Sequence, residues 1–289
     1  AGRAGGTVQP DSQGRREGMS LQNTQLNDSW TLYQRLREQT PLVQCITNYV
    51  AMNMTANVLL AAGASPAMVH CADESGEFAA LASALSINMG TPSPQWAEGM
   101  YAAIAGAQAA GVPWVLDPVA HAATGFRRQL VTALLDRRPT AIRGNASEII
   151  ALAGASGQGR GMDSGDSVES AAEAARQLAR AQGCVVLVTG EVDLATDGQR
   201  SLRIEGGSAL MPQVTAMGCA LSALLAGFIG VAPGQTLAAA VAAAQVFAAA
   251  GLKAEQHAQG PGSFLPAFLD ALHLLQPRDL QRCPVSEQL

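Results

Sequence analysis

Short apolar runs alternate with longer stretches of helical period along most of this chain. Leu42-Val-Gln-Cys-Ile-Thr47 predicts a buried strand, and the Ala-, Leu- and Met-rich stretch after Asn48 predicts a helix that reaches Ala62 and stops at Gly63. The alternation continues with a strand over 67–70, a helix over 74–85, a strand over 86–89 and a helix over 94–110. Strands over 113–117, 141–143 and 184–189 follow, with helices over 126–136, from Ser147, and over about 167–182 between them. Short strands over 193–196, 200–204 and 209–211 read as an antiparallel meander. Two Ala-rich helices come next, parted by the turn Val231-Ala-Pro-Gly-Gln235. Repeated βα order of this kind predicts an α/β fold. Its central sheet is mostly parallel with helices on both faces and a few antiparallel strands at one edge, and ligands bind at the carboxyl ends of the strands.

Polar residues fall where such a sheet places its sites: Thr47-Asn48, Asn88, Asp117, Arg143 with Asn145, and Thr189 all end strands. Pro118 fixes the turn after Asp117, which leaves that carboxylate either facing the crevice or capping the turn. Asn145-Ala-Ser-Glu148 has the spacing of a capping box, so Glu148 reads as a helix cap. Two carboxylates and an arginine at neighbouring strand ends are also what a Mg²⁺-nucleotide site requires. From Gln213 to Phe228 an extended approach ends in small residues and a strongly helical run begins. Thr215 is the expected N-cap, the free N–H groups of the first turn would face an anion, and Gly218 permits close backbone approach. Cys219 sits in that first turn, where the helix dipole favours the thiolate and lowers the pKa below its free value of roughly 8.5. A lone cysteine is equally a common small core residue, so Cys219 alone supports either reading.

Composition narrows the class. With 289 residues, 48% apolar and 14% charged, the chain can bury a full core. The net charge of −5, a single lysine (Lys253) and the lack of a basic cluster argue against nucleic acid as a partner. No P-loop pattern is present, so nucleotide binding must use a different loop, and Gly157-Gln-Gly-Arg-Gly161, within a glycine-rich interval over 154–165, reads as a flexible connection. Five widely spaced cysteines favour a reducing cytoplasm without zinc. Neither a charged-then-apolar leader nor an unbroken apolar run of membrane length is evident, so neither secretion nor membrane insertion is expected. Residues 1–28 read as a flexible tail and 29–289 as one domain, opened by a short amphipathic helix from Trp30 to Arg37. His70 and His257 read as structural. A helix over 234–258, apolar on every face, predicts contact with further copies of the chain.

Taken in order, Ile46-Thr-Asn48, Thr55-Ala-Asn57, Gly63-Ala-Ser-Pro-Ala-Met68, Ile87-Asn-Met-Gly-Thr91, Leu116-Asp-Pro-Val119, Ala141-Ile-Arg-Gly-Asn-Ala-Ser-Glu148, Val188-Thr-Gly-Glu-Val-Asp193, Val214-Thr215 with Gly218-Cys219, and Gly260-Pro-Gly-Ser-Phe264 resemble the hydroxyethylthiazole kinase family of the ribokinase-like superfamily. Each segment is weak alone; the ordered set, spanning Pro41 to about Leu275, is specific. The resemblance implies a ribokinase-like three-layer α/β/α fold. It also implies ATP-dependent phosphorylation of the primary alcohol of 4-methyl-5-(2-hydroxyethyl)thiazole in thiamine salvage, with Mg²⁺ as cofactor and ATP as co-substrate. It implies a homotrimer with its active sites between subunits. Asn48, Met68 and Ala216 match thiazole-side positions, Arg143 and Thr189 match ATP-binding positions, and Asp117 and Glu148 match the metal side. Cys219 stands where related kinases carry an aspartate base.

Two departures accompany the resemblance. Where the family has Thr-Gly-(Thr/Ala)-Gly-Cys, this chain has Thr215-Ala-Met-Gly-Cys219, and Asp117-Pro-Val is followed by Ala120-His-Ala rather than Gly-Ala-Gly. Ala216, Met217 and His121 are therefore expected to add bulk around the transfer site. Two alternatives stay open on that account: a catalytically impaired thiazole- or thiamine-binding protein, and a ribokinase-like kinase of another small alcohol.

Overall fold

Successive side chains on a strand point to opposite faces of its sheet, and here each set of alternate residues feeds its own apolar layer. The computed structural model describes residues 29–155 and 168–288. The tail expected over 1–28, and the glycine-rich interval from residue 156 on, lie outside the described residues. Within them, β1 (Leu42–Ile46), β2 (Ser65–Ala67), β3 (Ala84–Asn88), β4 (Trp114–Asp117), β5 (Ala141–Asn145), β6 (Val185–Thr189), β7 (Asp193–Thr196), β8 (Ser201–Ile204) and β9 (Val285–Glu287) form one sheet. Its order is β2-β1-β3-β4-β5-β6-β7-β8-β9. The strands from β2 to β6 are parallel, and β7, β8 and β9 add antiparallel at one edge.

The helices are α1 (29–39), α2 (Met52–Ala62), α3 (Ala72–Leu81), α4 (Pro94–Ala110), α5 (Gly125–Leu135), α6 (Ala146–Ala155), α7 (Val168–Gln182), α8 (Met217–Val231), α9 (Thr236–Glu255), α10 (Pro261–His273) and α11 (Pro277–Leu280). Val43, Cys45, Val115, Ala141, Val185 and Leu187 pack in one core with α1, α2, α8, α9 and α10. Leu85, Ile87, Trp114, Leu116, Ile142 and Val186 point the other way into a core closed by α3 to α7. The result is the three-layer α/β/α arrangement, with α8 lying across the middle of one face.

Several expected boundaries shift. The strand placed over 67–70 is β2, which starts two residues earlier and ends three earlier. The helix expected to run to residue 85 stops at Leu81, because Ala84 and Leu85 are needed on opposite faces of β3. No strand forms over 209–211. Gly206 (φ 126°) and Gly207 (φ 88°) turn the chain away, and a single 3-10 turn, Met211–Gln213, follows with Pro212 inside it. The edge strand β9 joins β8 through a long-range register that its three residues do not announce.

α9 corrects two expectations. By length and composition it is a helix that could cross a membrane, with mean hydropathy 1.6 over its best window. Yet most of that window is buried inside the protein, against α8, α10 and the β6–β8 side of the sheet. Its all-round apolar surface is therefore accounted for within one chain and carries no argument for contact between copies.

Candidate active site

The period of two that sorts the core also assembles the polar site. Asn88, Asp117, Arg143 and Thr189 each lie an even number of residues beyond a strand residue of the α8-side core: Ala84, Val115, Ala141 and Leu187. All four therefore emerge on the face that α8 covers. Register brings them side by side, with Asn88 opposite Asp117 and Asn145 opposite Thr189.

The side chains join through hydrogen bonds and one ion pair into a single chain across the strand ends. Asn48 Nδ2 donates to Asn88 Oδ1 (2.8 Å) and to Cys219 Sγ (3.3 Å). Asn88 Nδ2 donates to Asp117 Oδ2 (2.8 Å), which also accepts from Ser222 Oγ (2.7 Å). Arg143 Nη1 lies 3.8 Å from the same oxygen, and Nη2 donates to Thr189 Oγ1. The guanidinium crosses the start of α8, where a Cβ on residue 218 would collide with it, so any larger residue there displaces Arg143. Asp117 has no exposed surface; burial pushes its carboxyl up to about 6, although Arg143, Ser222 and Asn88 favour the ionised form.

The start of α8 differs from expectation. Thr215 does not cap it: the N-cap is Ala216, in the left-handed conformation (φ 65°, ψ 6°), with no side-chain hydrogen bond. The first helical bond runs from Ala220 N–H to the Ala216 carbonyl, so the N–H groups of Met217, Gly218 and Cys219 find no acceptor among the described residues. The anion-binding turn is thus present, made by backbone alone. Nor is the Cys219 thiol lowered. Burial and the Asp117 charge raise it, outweighing the Asn48 and Asn88 amides and Arg143, because the half-buried sulfur sits beside a carboxylate.

A cleft of about 710 Å³ opens beside this chain. Arg143, Asn145, Thr189 and Gly218 line it together with the apolar side chains of Met211, Pro212, Leu221 and Phe247. Polar, anion-seeking groups together with apolar ones suit a nucleotide, with its phosphates at the helix start and its base among the apolar side chains. Asp193 borders the cleft as well. Burial pushes its carboxyl up to about 6, eased by the Gly190 N–H and by Arg143.

Glu148 forms the capping box read from the sequence: Oε2 accepts from Asn145 N–H (3.0 Å) while Asn145 Oδ1 accepts from Glu148 N–H (2.9 Å). Its Oε1 accepts from Ala120 N–H (3.1 Å), tying the loop after β4 to α6. His121 does not intrude on the transfer site. It is buried, with Nε2 3.0 Å from the Glu148 carbonyl, so it packs under the α6 start. Met217 is buried in the α8-side core and presents one side to the cleft.

No cluster of three or more His, Cys, Asp or Glu makes a protein-only metal cage among the described residues. The donors do fit Mg²⁺ held jointly with phosphates and water. Asp117 Oδ1 is buried without a partner, and each Glu148 oxygen takes one N–H and keeps acceptor capacity.

Of the residues expected from sequence, Asn48, Asp117, Arg143, Thr189 and Cys219 converge, Glu148 borders them through the α6 cap, and Ala216 starts the helix between them. Met68 stands apart. It follows β2 at the outer edge of the sheet, half-buried against the α8-side core, and does not line the cleft. Ser222, Asp193 and the 206–212 segment were missed. Ser222 is four residues after Gly218 on one helix face, a spacing visible in the sequence but masked by its apolar surroundings.

The sequence profile of the hydroxyethylthiazole kinase family matches residues 33–278. A hydroxyethylthiazole kinase of Rhizobium johnstonii is 63% identical over 245 residues, 85% of this chain and 92% of that one. One from Cereibacter sphaeroides is 60% identical over 252 residues, 87% of this chain and 95% of that one. Among solved structures, a hydroxyethylthiazole kinase protein of Pyrococcus horikoshii superposes with a TM-score of 0.82 at 37% identity, covering 90% of this chain and 98% of that one. A pyridoxal kinase of Bacillus subtilis in complex with ADP gives 0.57 at 18% identity over 74% of this chain and 92% of that one, a likeness of fold alone.

Proposed function

The chain belongs to the hydroxyethylthiazole kinase family, and from that premise we propose how its strand-end cleft phosphorylates hydroxyethylthiazole with ATP. The observation that carries the reading is the continuous polar chain from Thr189 and Arg143 through Asp117, Asn88 and Asn48 to Cys219, set against the free N–H groups of α8 and the 710 Å³ cleft.

Phosphoryl transfer asks for in-line positioning and charge neutralisation rather than covalent help. ATP lies in the cleft with its phosphates toward Arg143, Thr189 and the start of α8, and the N–H groups of Met217, Gly218 and Cys219 receive the phosphoryl group in transit. The primary alcohol of the thiazole approaches between Asn48 and Cys219, with Ala216 against the ring. Cys219 Sγ orients the hydroxyl as a thiol, or takes the alcohol proton in its thiolate form, the form that the Asn48 N–H favours. Asp117 and Glu148 would hold Mg²⁺, which when bound neutralises phosphate charge.

We read residues 29–289 as one kinase unit working in the cytoplasm, a setting supported by five free thiols. We also read it as a homotrimer in which Met68 of one chain completes the thiazole side of another. The support is apolar exposure next to Asn48, where Tyr49 is 67% and Val50 59% exposed, together with the place of Met68 after β2 at the outer edge of the sheet.

Cys219 tests the chemistry. Cys219→Ser keeps a small hydrogen-bonding group without an accessible anion, so kcat falls by about 10²-fold or more while ATP still binds. Cys219→Asp restores a base at a helix start and retains activity. An active Ser variant beside an unfolded Asp variant ends the catalytic assignment.

A further inference from the structure

Asn88 links Asn48 to Asp117 in the polar chain, yet neither the family resemblance nor the transfer scheme gives it a task, and its bonding is directional. Its Oδ1 accepts from Asn48 Nδ2 (2.8 Å) and from Gly90 N–H (2.9 Å), while its Nδ2 donates to Asp117 Oδ2 (2.8 Å). A backbone donor on one side and a carboxylate on the other leave the amide one orientation. The same holds one step along: Asn48 Oδ1 accepts from Ala51 N–H (3.0 Å), so both hydrogens of its Nδ2 are directed, one to Asn88 and one to Cys219 Sγ (3.3 Å). Gly90 closes the device from behind. A Cβ there would sit 2.6 Å from Asn48 Nδ2 and 2.8 Å from its Cγ, too near for the amide to keep its place. Asn88 itself is buried and does not reach the cleft.

We propose that Asn88, with Gly90 behind it, is a positioning residue for phosphoryl transfer: it fixes the Asn48 amide so that an N–H points at the Cys219 sulfur. The idea deepens the kinase reading above and rests on it. Without Asn88 the second Asn48 hydrogen has no acceptor, the amide rotates, and the sulfur loses its donor. Asp117 and Arg143 are the charges that face the sulfur and neither hydrogen-bonds to it; the Asn88 amide itself also favours the thiolate, so Gly90→Ala, which leaves Asn88 in place, isolates the route through Asn48.

The test is a double-mutant cycle of Asn48→Ala and Asn88→Ala, with an activity-independent readout of the sulfur. Asn88→Ala lowers kcat by about 10²-fold with KM for ATP unchanged, and the double variant is no slower than Asn48→Ala, because one route has been cut twice. In a Cys71→Ser background, which removes the exposed thiol, the pH midpoint for iodoacetamide modification of Cys219 moves upward in Asn88→Ala. Should Asn88→Ala fail to fold, Gly90→Ala leaves Asn88 in place, displaces Asn48 and shifts the midpoint the same way. Additive losses in kcat, or a midpoint equal to wild type in the folded variants, overturn the proposal. If wild-type protein does not phosphorylate the thiazole alcohol, the kinase reading fails, and the modification midpoint still decides whether Asn88 directs Asn48.

Discussion

Ala216 holds a backbone conformation that costs an L-residue about 1–2 kcal/mol. Glycine removes that strain and gives back about 0.5–1 kcal/mol of it as chain entropy lost on folding. Ala216→Gly is therefore expected to leave Tm unchanged or raise it slightly, the opposite of the same change inside a helix. A drop of several degrees by scanning calorimetry contradicts the strain. Asp193 supplies a pH signature. Its carboxyl is raised from an ordinary 3.8 to about 6, so on raising pH the unfolded chain gives up this proton first. The contribution to stability is complete below 3.8 and is lost as pH rises through about 6. Asp193→Asn removes the slope: its Tm declines less than that of wild type between those two values, and parallel Tm curves show that the carboxyl is not raised. At this scale, most of the residues that meet could be picked out before the fold was known. Asn48, Asp117, Arg143 and Thr189 were legible because each lies at or near the carboxyl end of a strand. The direction of the Cys219 shift was not, because burial and a neighbouring carboxylate depend on the packing of α8 over β3 and β4.

At the scale of elements, α6 shows how one residue answers two demands. Glu148 caps its own helix and ties down the Ala120 loop, one oxygen for each, and glutamine has a single acceptor oxygen to offer both. Glu148→Gln is expected to lower stability by about 0.5–2 kcal/mol, the size of a lost cap, and also to lower turnover and raise the Mg²⁺ concentration needed for half-maximal rate. Lost stability with wild-type turnover and Mg²⁺ requirement makes Glu148 a cap alone. Capping boxes and βα alternation are local patterns, which is why α4 and the start of α6 were read nearly to the residue. The turn at 206–213 and the β9 edge were not. The first depends on two positive-φ glycines and the second on a partner more than eighty residues away.

For the whole molecule, the two-faced sheet explains why the chemistry clusters. Polar residues at the carboxyl ends share a face only because the apolar residues behind them obey the same period of two, so the code for the core is also the code for the site. The expectation about assembly fared differently: α9 is consumed within the chain, and the argument now rests on Tyr49, Val50 and the position of Met68. Light scattering at micromolar concentration should return three chain masses, and a monomer removes Met68 from the site. The central claim is that this cleft is a kinase for the thiazole alcohol and not for the larger alcohols its fold relatives take. Coupled ADP release, with hydroxyethylthiazole, pyridoxal and hydroxymethylpyrimidine each offered alone with ATP and Mg²⁺, addresses it most directly. The account predicts a kcat/KM for hydroxyethylthiazole at least about 10²-fold above either competitor. ADP release that is absent with the thiazole, or faster with pyridoxal, contradicts it.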